Sequence, residues 1–183
     1  MKKRMSTDQQ IVTAMAENPE RGFKLLMGAY GEPVYWHIRR MVVAHDDAQD
    51  ASQETFVRVF RHFRQYDAKQ SFKAWVFKIA TNEALRLLGK RSGKIMVSLD
   101  ETPEEMLNMK ADEFFDYSDA LSVKLQQAVH TLPVKQQLAF NMRYYNELSY
   151  SEIDAVTGST AANVKMNYHV AKEKIVKFMK SNM

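Results

Sequence analysis

The chain has 183 residues, enough for one large or two small folded units, and carries a formal net charge of +4. It contains no cysteine, which excludes a disulfide, a thiolate zinc site and a cysteine nucleophile and suits a reducing compartment. The basic start MKKRMSTDQQ is followed by no apolar run, and no stretch approaches the ~20 apolar residues of a membrane span, so a soluble cytoplasmic protein is expected.

The distribution of charge divides the chain. Residues 1–94 hold 17 Lys+Arg and 10 Asp+Glu, residues 95–120 hold 1 and 8, and residues 121–183 hold 8 and 4. Two basic blocks thus flank an acidic stretch, and basic blocks attract nucleic acid. The acidic part lacks a sustained apolar period, so it reads as a linker; solubilising the chain and shielding a DNA-binding face are both open roles for it. The expected organisation is a domain over 1–94, an acidic flexible linker over 95–118 and a second domain over 119–183. No strand alternation or Asn-Gly hairpin signal competes with the helical period. The fold class is therefore expected to be all-α, two small helical domains with a helix-turn-helix in the second.

Taken in chain order, helices are expected at Asp8–Glu17, Pro19–Tyr30 and Pro33–Val43, the prolines standing at first helical positions. The next, Asp47–Arg64, sets Ser52, Phe56, Val59, Phe60 and Phe63 on an apolar face. Asp47, Asp50, Glu54, Arg58 and Arg61 line the opposite face, acids toward the helix start and arginines toward its end, an order that suits the macrodipole. Glu54 and Arg58 form an i,i+4 pair worth ~0.3–0.5 kcal/mol. The same stripe also has the makings of a docking face for a protein of complementary charge.

A helix over Ser71–Arg91 mixes Phe72, Trp75 and Phe77 with Lys73, Lys78, Arg86, Lys90 and Arg91. Phe72, Val76 and Ile79 make a core stripe, from which Phe77 points away beside Lys73. Aromatics among cations suit single-stranded nucleic acid, since bases stack on rings while lysines follow phosphate. A short helix packed between two neighbours would also bury both aromatic faces, and composition leaves these two readings level. Helices over Ser118–His130 and Pro133–Tyr144 follow.

The last stretch, LSYSEIDAVTGSTAANVKMNYHVAKEKI, reads as two helices joined by a tight turn. Ser149 and Glu152 have capping-box spacing, Gly158 suits a left-handed helix end, and Ser159 suits the cap of a helix running toward Lys180. In that helix Val164, Tyr168, Ala171, Ile175 and Phe178 recur at steps of three and four and form the buried stripe. Opposite lie Ala162, Met166, His169 and Glu173, flanked by Asn163, Lys165 and Lys172: side chains that can touch base edges, thymine methyls or phosphates.

The run DAQDASQETFVRVFRHF, then SFKAWVFKIATNEALRLLGKR, then LPVKQQLAFNMRYYNELSYSEIDAVTGSTAANVKMNYHVAKEKI resembles the sigma factors of bacterial RNA polymerase. It is most similar to the small extracytoplasmic-function group of the sigma-70 family, which keeps only the second and fourth sigma domains. The resemblance implies that the surface Asp47, Asp50, Gln53, Glu54 and Arg58 docks on the clamp helices of core polymerase. It implies that Tyr66, Lys69 and Ser71, with Lys73, Phe77, Lys78 and Asn82, melt and hold the minus-ten element. The helix from Ser159, through Ala162, Asn163, Lys165, Met166, His169 and Lys172, would read the minus-thirty-five element. Its implied partners are core polymerase, promoter DNA and an anti-sigma factor, and the free protein would be a monomer.

There are departures from the family pattern. Met166, Asn167 and Val170 stand where a serine-arginine pair and a further arginine are common, Ala74 replaces a threonine beside Trp75, and Ser52 replaces an aliphatic residue. Fewer arginines imply weaker phosphate anchoring and a different base preference. Of the five histidines only His45 has close acids, Asp46, Asp47 and Asp50, which serve better as helix-start acids than as metal ligands. No phosphate loop, nucleophile elbow or metalloprotease helix occurs. No cofactor and no catalysis are therefore expected, and DNA opening would be driven by binding energy. A stand-alone helix-turn-helix regulator and a pure interaction module are the competing readings.

Overall fold

The computed structural model of the chain describes residues 6–103 and 119–181; among these, every regular element is helical. Helix α1 spans Thr7–Glu17 and opens on a capping box in which Ser6 Oγ accepts the Gln9 N–H at 3.3 Å and Gln9 Oε1 accepts the Ser6 N–H at 3.0 Å. Helix α2 spans Pro19–Val42, with Asn18 capping the Arg21 amide at 3.2 Å. The two helices expected on either side of Gly31 and Glu32 are thus one. Pro33 lies inside α2 because Tyr30, Val34, Ile38 and Met41 form one buried row across it. Burial of that row outweighs the backbone hydrogen bond that proline removes.

Helix α3 spans His45–His62, a 3-10 turn follows at Phe63–Gln65, and α4 spans Phe72–Arg91 behind the cap Ser71. Ala48, Ala51, Ser52, Thr55, Phe56 and Val59 form the buried side of α3. Phe60, expected on that face, is 48% exposed and meets Phe23 of α2 edge-on at 5.9 Å. It follows Val59 directly, so it is rotated off the stripe by ~100°.

The remaining helices are α5, Ala120–His130; α6, Val134–Tyr144; α7, Tyr150–Thr157; and α8, Ala161–Ser181. Ser118, the expected start of α5, lies outside the described residues; Asp119 caps the helix through the Leu121 N–H at 3.0 Å. Helix α2 packs on α1, α3 and α4, whereas α8 packs on α5, α6 and α7. A small core of Ala128, Val129, Leu132, Phe140, Ala171 and Ile175 closes the C-terminal bundle.

The larger core is continuous between the bundles, running from Leu26, Ile38, Phe56 and Phe77 to Leu138, Met142, Leu148 and Ile153. Helix α7 lies on α4. Polar contacts accompany this packing, among them Ser71 Oγ donating to Glu152 Oε1 at 2.8 Å, Lys73 Nζ donating to the Asn146 carbonyl at 2.6 Å, and the Arg40 guanidinium 3.8 Å from the Tyr145 ring centroid. Of the linker expected over 95–118, residues 104–118 lie outside the described residues, and residues 95–103 run as a strap from the end of α4 to the start of α6.

Candidate nucleic-acid interface

The helix-turn-helix is assembled by local signals. Ser149 Oγ accepts the Glu152 N–H at 3.1 Å and Glu152 Oε2 accepts the Ser149 N–H at 2.8 Å, which completes the capping box of α7. Gly158 ends α7 at φ 69°, in the left-handed region where a side chain is strained. The cap of α8 is Thr160, whose Oγ1 accepts the Asn163 N–H at 3.2 Å. Ser159, expected in that role, is half-buried one residue earlier in the turn. Val164, Ala171 and Ile175 anchor α8 from beneath, with Tyr168 and Phe178 partly covered. Tyr168 stacks on Phe140 at 6.2 Å, which sets the rotation of the helix. Ala162, Asn163, Lys165, Met166, His169 and Lys172 are consequently all turned outward, Met166 being 57% exposed. Lys172 lies 5.3 Å from the Tyr168 ring centroid on the flank of the face.

The second group gathers where the 3-10 turn leads into α4. Tyr66 packs on Trp75 and Phe72 at ring distances of 5.2 and 5.3 Å, and its hydroxyl donates to the Gln70 carbonyl at 2.7 Å. Burial, reinforced by Asp8 and Asp67, pushes its pKa up, so it stays a neutral donor. Lys69 and Lys78 are exposed and Asn82 is half-buried. Lys78 and Asn82 face a groove of about 670 Å³ with His62, Gln65, Trp75 and Arg86. This mixture of cation, amide and ring can hold an unstacked strand. His62, Gln65 and Arg86 were not among the expected contacts; Lys78, Asn82 and Arg86 stand at steps of four, which is the signal that they share a face.

Phe77 does not belong to this surface. It is wholly buried against Tyr30 and His37, with ring distances of 6.4 and 5.1 Å. Helix α4 touches α2, α3 and α7, so its apolar residues are covered on more than one side and the packing reading of its aromatics holds for Phe77. Ser71 lines the groove, whereas Lys73 lines a separate cavity with Tyr30, Tyr145 and Asn146; both are engaged from the C-terminal bundle, by Glu152 and Asn146 respectively. Burial alone would raise Glu152, yet the Ser149 amide and the Ser71 hydroxyl hold its carboxyl below the usual range.

On α3, Asp50 and Gln53 are exposed, while three of their expected companions are committed to ion pairs. Asp47 pairs with Arg91 of α4. Arg58 Nε lies 2.9 Å from Glu54 and 2.8 Å from Glu83, and Glu83 also pairs with Arg86. Glu83 is 8% exposed between these two guanidinium groups; a buried carboxylate so placed requires both. The pattern along α3 showed one side of this network only. Among the described residues no cluster of three or more His, Asp or Glu could hold a metal, and no helix is long and apolar enough to cross a membrane.

The model of sigma-70 region 2 matches residues 26–93, and that of sigma-70 region 4 matches residues 122–175. The chain is 27% identical over 179 residues to the RNA polymerase sigma-H factor of Pseudomonas aeruginosa, an alignment covering 93% of this chain and 92% of that one. It is 24% identical over 174 residues to the ECF RNA polymerase sigma factor SigW of Bacillus subtilis, covering 91% and 93%. Among solved structures, CnrH in complex with the cytosolic domain of CnrY has a TM-score of 0.73 at 18% identity, covering 97% of this chain and 100% of that one. The sigma factor RpoE of Bartonella quintana, in complex with the anti-sigma factor NepR, has a TM-score of 0.64 at 18% identity, covering 88% and 98%. These two likenesses concern the fold. The two regions in this order, with relatives aligned over nearly their full length, identify the chain as a member of the sigma-70 family, in its extracytoplasmic-function group.

Proposed function

We propose that this chain is a dissociable promoter-recognition subunit that binds core RNA polymerase and directs promoter melting and transcription initiation in the cytoplasm. The carrying observation is the outward row Ala162, Met166 and His169 on a helix anchored by a buried stripe, borne by a chain whose other bundle holds the groove of Lys78, Asn82 and Arg86. Residues 1–94 are assigned core docking and minus-ten binding, residues 119–183 minus-thirty-five reading, and the stretch between them joins the two. Asp50 and Gln53 dock on polymerase, with Glu54, Arg58 and Asp47 holding the shape of that face through their ion pairs. Tyr66, Lys69, Lys78 and Asn82 hold the melted strand, joined by Ser71 and Lys73 once the bundles separate.

No bond is made or broken by this protein; the strand is opened by binding energy, and catalysis belongs to the polymerase. An anti-sigma protein that covers these faces is the expected inhibitor. Core polymerase and the full-length chain, mixed and separated by size, test the docking face. Asp50→Lys combined with Gln53→Lys should abolish co-elution while circular dichroism stays unchanged. Co-elution of the folded double variant at wild-type level removes this surface from the account. Absence of co-elution by the wild type itself would favour a stand-alone regulator.

A further inference from the structure

The strap that follows α4 is held at both ends. At the first, Val97 is 3% exposed and its N–H donates to the Leu85 carbonyl at 3.2 Å, while the Lys94 N–H donates to the Gly89 carbonyl at 2.8 Å. Gly89 has no room for a side chain, since a Cβ would stand 2.6 Å from Met96 Cα. At the second end, the Val134 N–H donates to the Glu101 carbonyl and the Lys135 N–H to the Leu99 carbonyl, both at 2.9 Å. These amides open α6, where the N-cap is Pro133 and no side chain caps the helix, so the strap itself supplies the cap. Between the two carbonyls, Asp100 Oδ1 lies 2.6 Å from Lys135 Nζ.

This corner adjoins the reading face. Asp100 and Lys135 line a cavity of about 330 Å³ together with Ser159, Asn163 and Met166. The Asp100 side chain is 77% exposed there, so its charge faces any duplex that approaches Asn163 and Met166. A carboxylate in that position opposes phosphate twice over, by direct repulsion and by occupying the Lys135 ammonium.

We propose that the strap Ser98–Pro103 is an autoinhibitory contact: in the free chain it pairs Asp100 with Lys135 beside the reading helix, and when it lifts Lys135 takes a DNA phosphate in place of that carboxylate. The inference rests on α8 being the DNA reader. Lifting the strap frees Lys135 and removes a negative charge from the path of the phosphate backbone in one movement. The strap thereby acts on the face it adjoins, beyond joining two bundles.

The test is fluorescence anisotropy of a labelled 30-base-pair duplex of random sequence with the full-length chain, over a series of salt concentrations. Asp100→Ala should bind about two- to fivefold more tightly, with a salt slope steeper by about 0.9 for the one further phosphate neutralised. Gly89→Ala, which pushes the strap from α4, should act in the same direction; if it does not fold, Asp100→Ala decides alone. Adding Lys135→Ala to Asp100→Ala should return binding to the wild-type level. Unchanged binding by Asp100→Ala overturns the proposal, as does a tightening that survives Lys135→Ala, which would report net charge alone. Lys165→Ala with Lys172→Ala checks the reading helix separately. Weakened binding there with no response to Asp100→Ala removes the strap and leaves the reader, whereas wild-type binding by the lysine variant removes both.

Discussion

Two wholly enclosed histidines show how little a single residue reveals of its surroundings. His37 Nε2 lies 2.8 Å from Thr81 Oγ1, which ties α2 to α4, and burial with Arg40 nearby lowers its pKa to about 3. Burial likewise lowers His130 to about 4, only partly offset by the backbone of Arg40. Both rings fold in the neutral form, while an unfolded chain takes up the protons near the ordinary value of about 6.5. Each therefore contributes stability that is complete above about 6.5 and is lost as the pH falls toward the folded value, by about 1.4 kcal/mol per pH unit. Urea titrations at pH 7 and 5.5 should show this loss, and His37→Gln should reduce the slope by about half; an unchanged slope would mean that His37 is not neutral and enclosed. Nothing in the sequence marks either ring as buried, because each is enclosed by helices distant along the chain. The Ser149–Glu152 box and the Gly158 turn were legible because each is written within a few residues.

At the scale of a helix, the 3.6-residue period foretells one face well and two faces poorly. Helix α8 has one buried stripe, and its outward row follows directly from it. Helix α4 is covered on several sides, so Phe77 could not be placed by period alone. Helix α2 shows how packing overrides a local stop signal at Pro33. Pro33 is exposed, so Pro33→Ala should restore a backbone bond without loss of packing and stabilise the protein by about 2 kcal/mol, after the entropy returned to the unfolded chain. A lower urea midpoint for this variant would show that the proline ring makes packing contacts that alanine does not replace. On α8, Met166→Ala with His169→Ala should alter the upstream sequence selected from random DNA by the holoenzyme, each lost base contact costing ~1–3 kcal/mol. Lys165→Ala should weaken all sequences alike. If the selected sequence responds to Lys165→Ala and not to the outer pair, the rotation assigned to the reading helix is wrong.

Across the whole molecule, the free chain brings its two bundles together through α4 and α7, and this places Ser71 and Lys73 in the grip of Glu152 and Asn146. No local pattern links residues so far apart, which is why the shared core and the strap could not be read from the sequence while the order of the helices could. Promoter binding as proposed requires these contacts to part. Fluorophores placed on α3 at Arg61 and on α8 at Lys177, both exposed, should move apart when core polymerase is added; an unchanged transfer efficiency in the bound complex would mean that the closed arrangement is the working one. In the proposed role, this chain confers promoter choice on a polymerase that lacks it. Purified core polymerase should be given genomic DNA fragments with and without the full-length chain, and the 5′ ends of the transcripts mapped. A small set of start sites sharing two upstream elements should appear, seen only with the chain and lost with Asp50→Lys and Gln53→Lys. Start sites identical with and without the chain would contradict it.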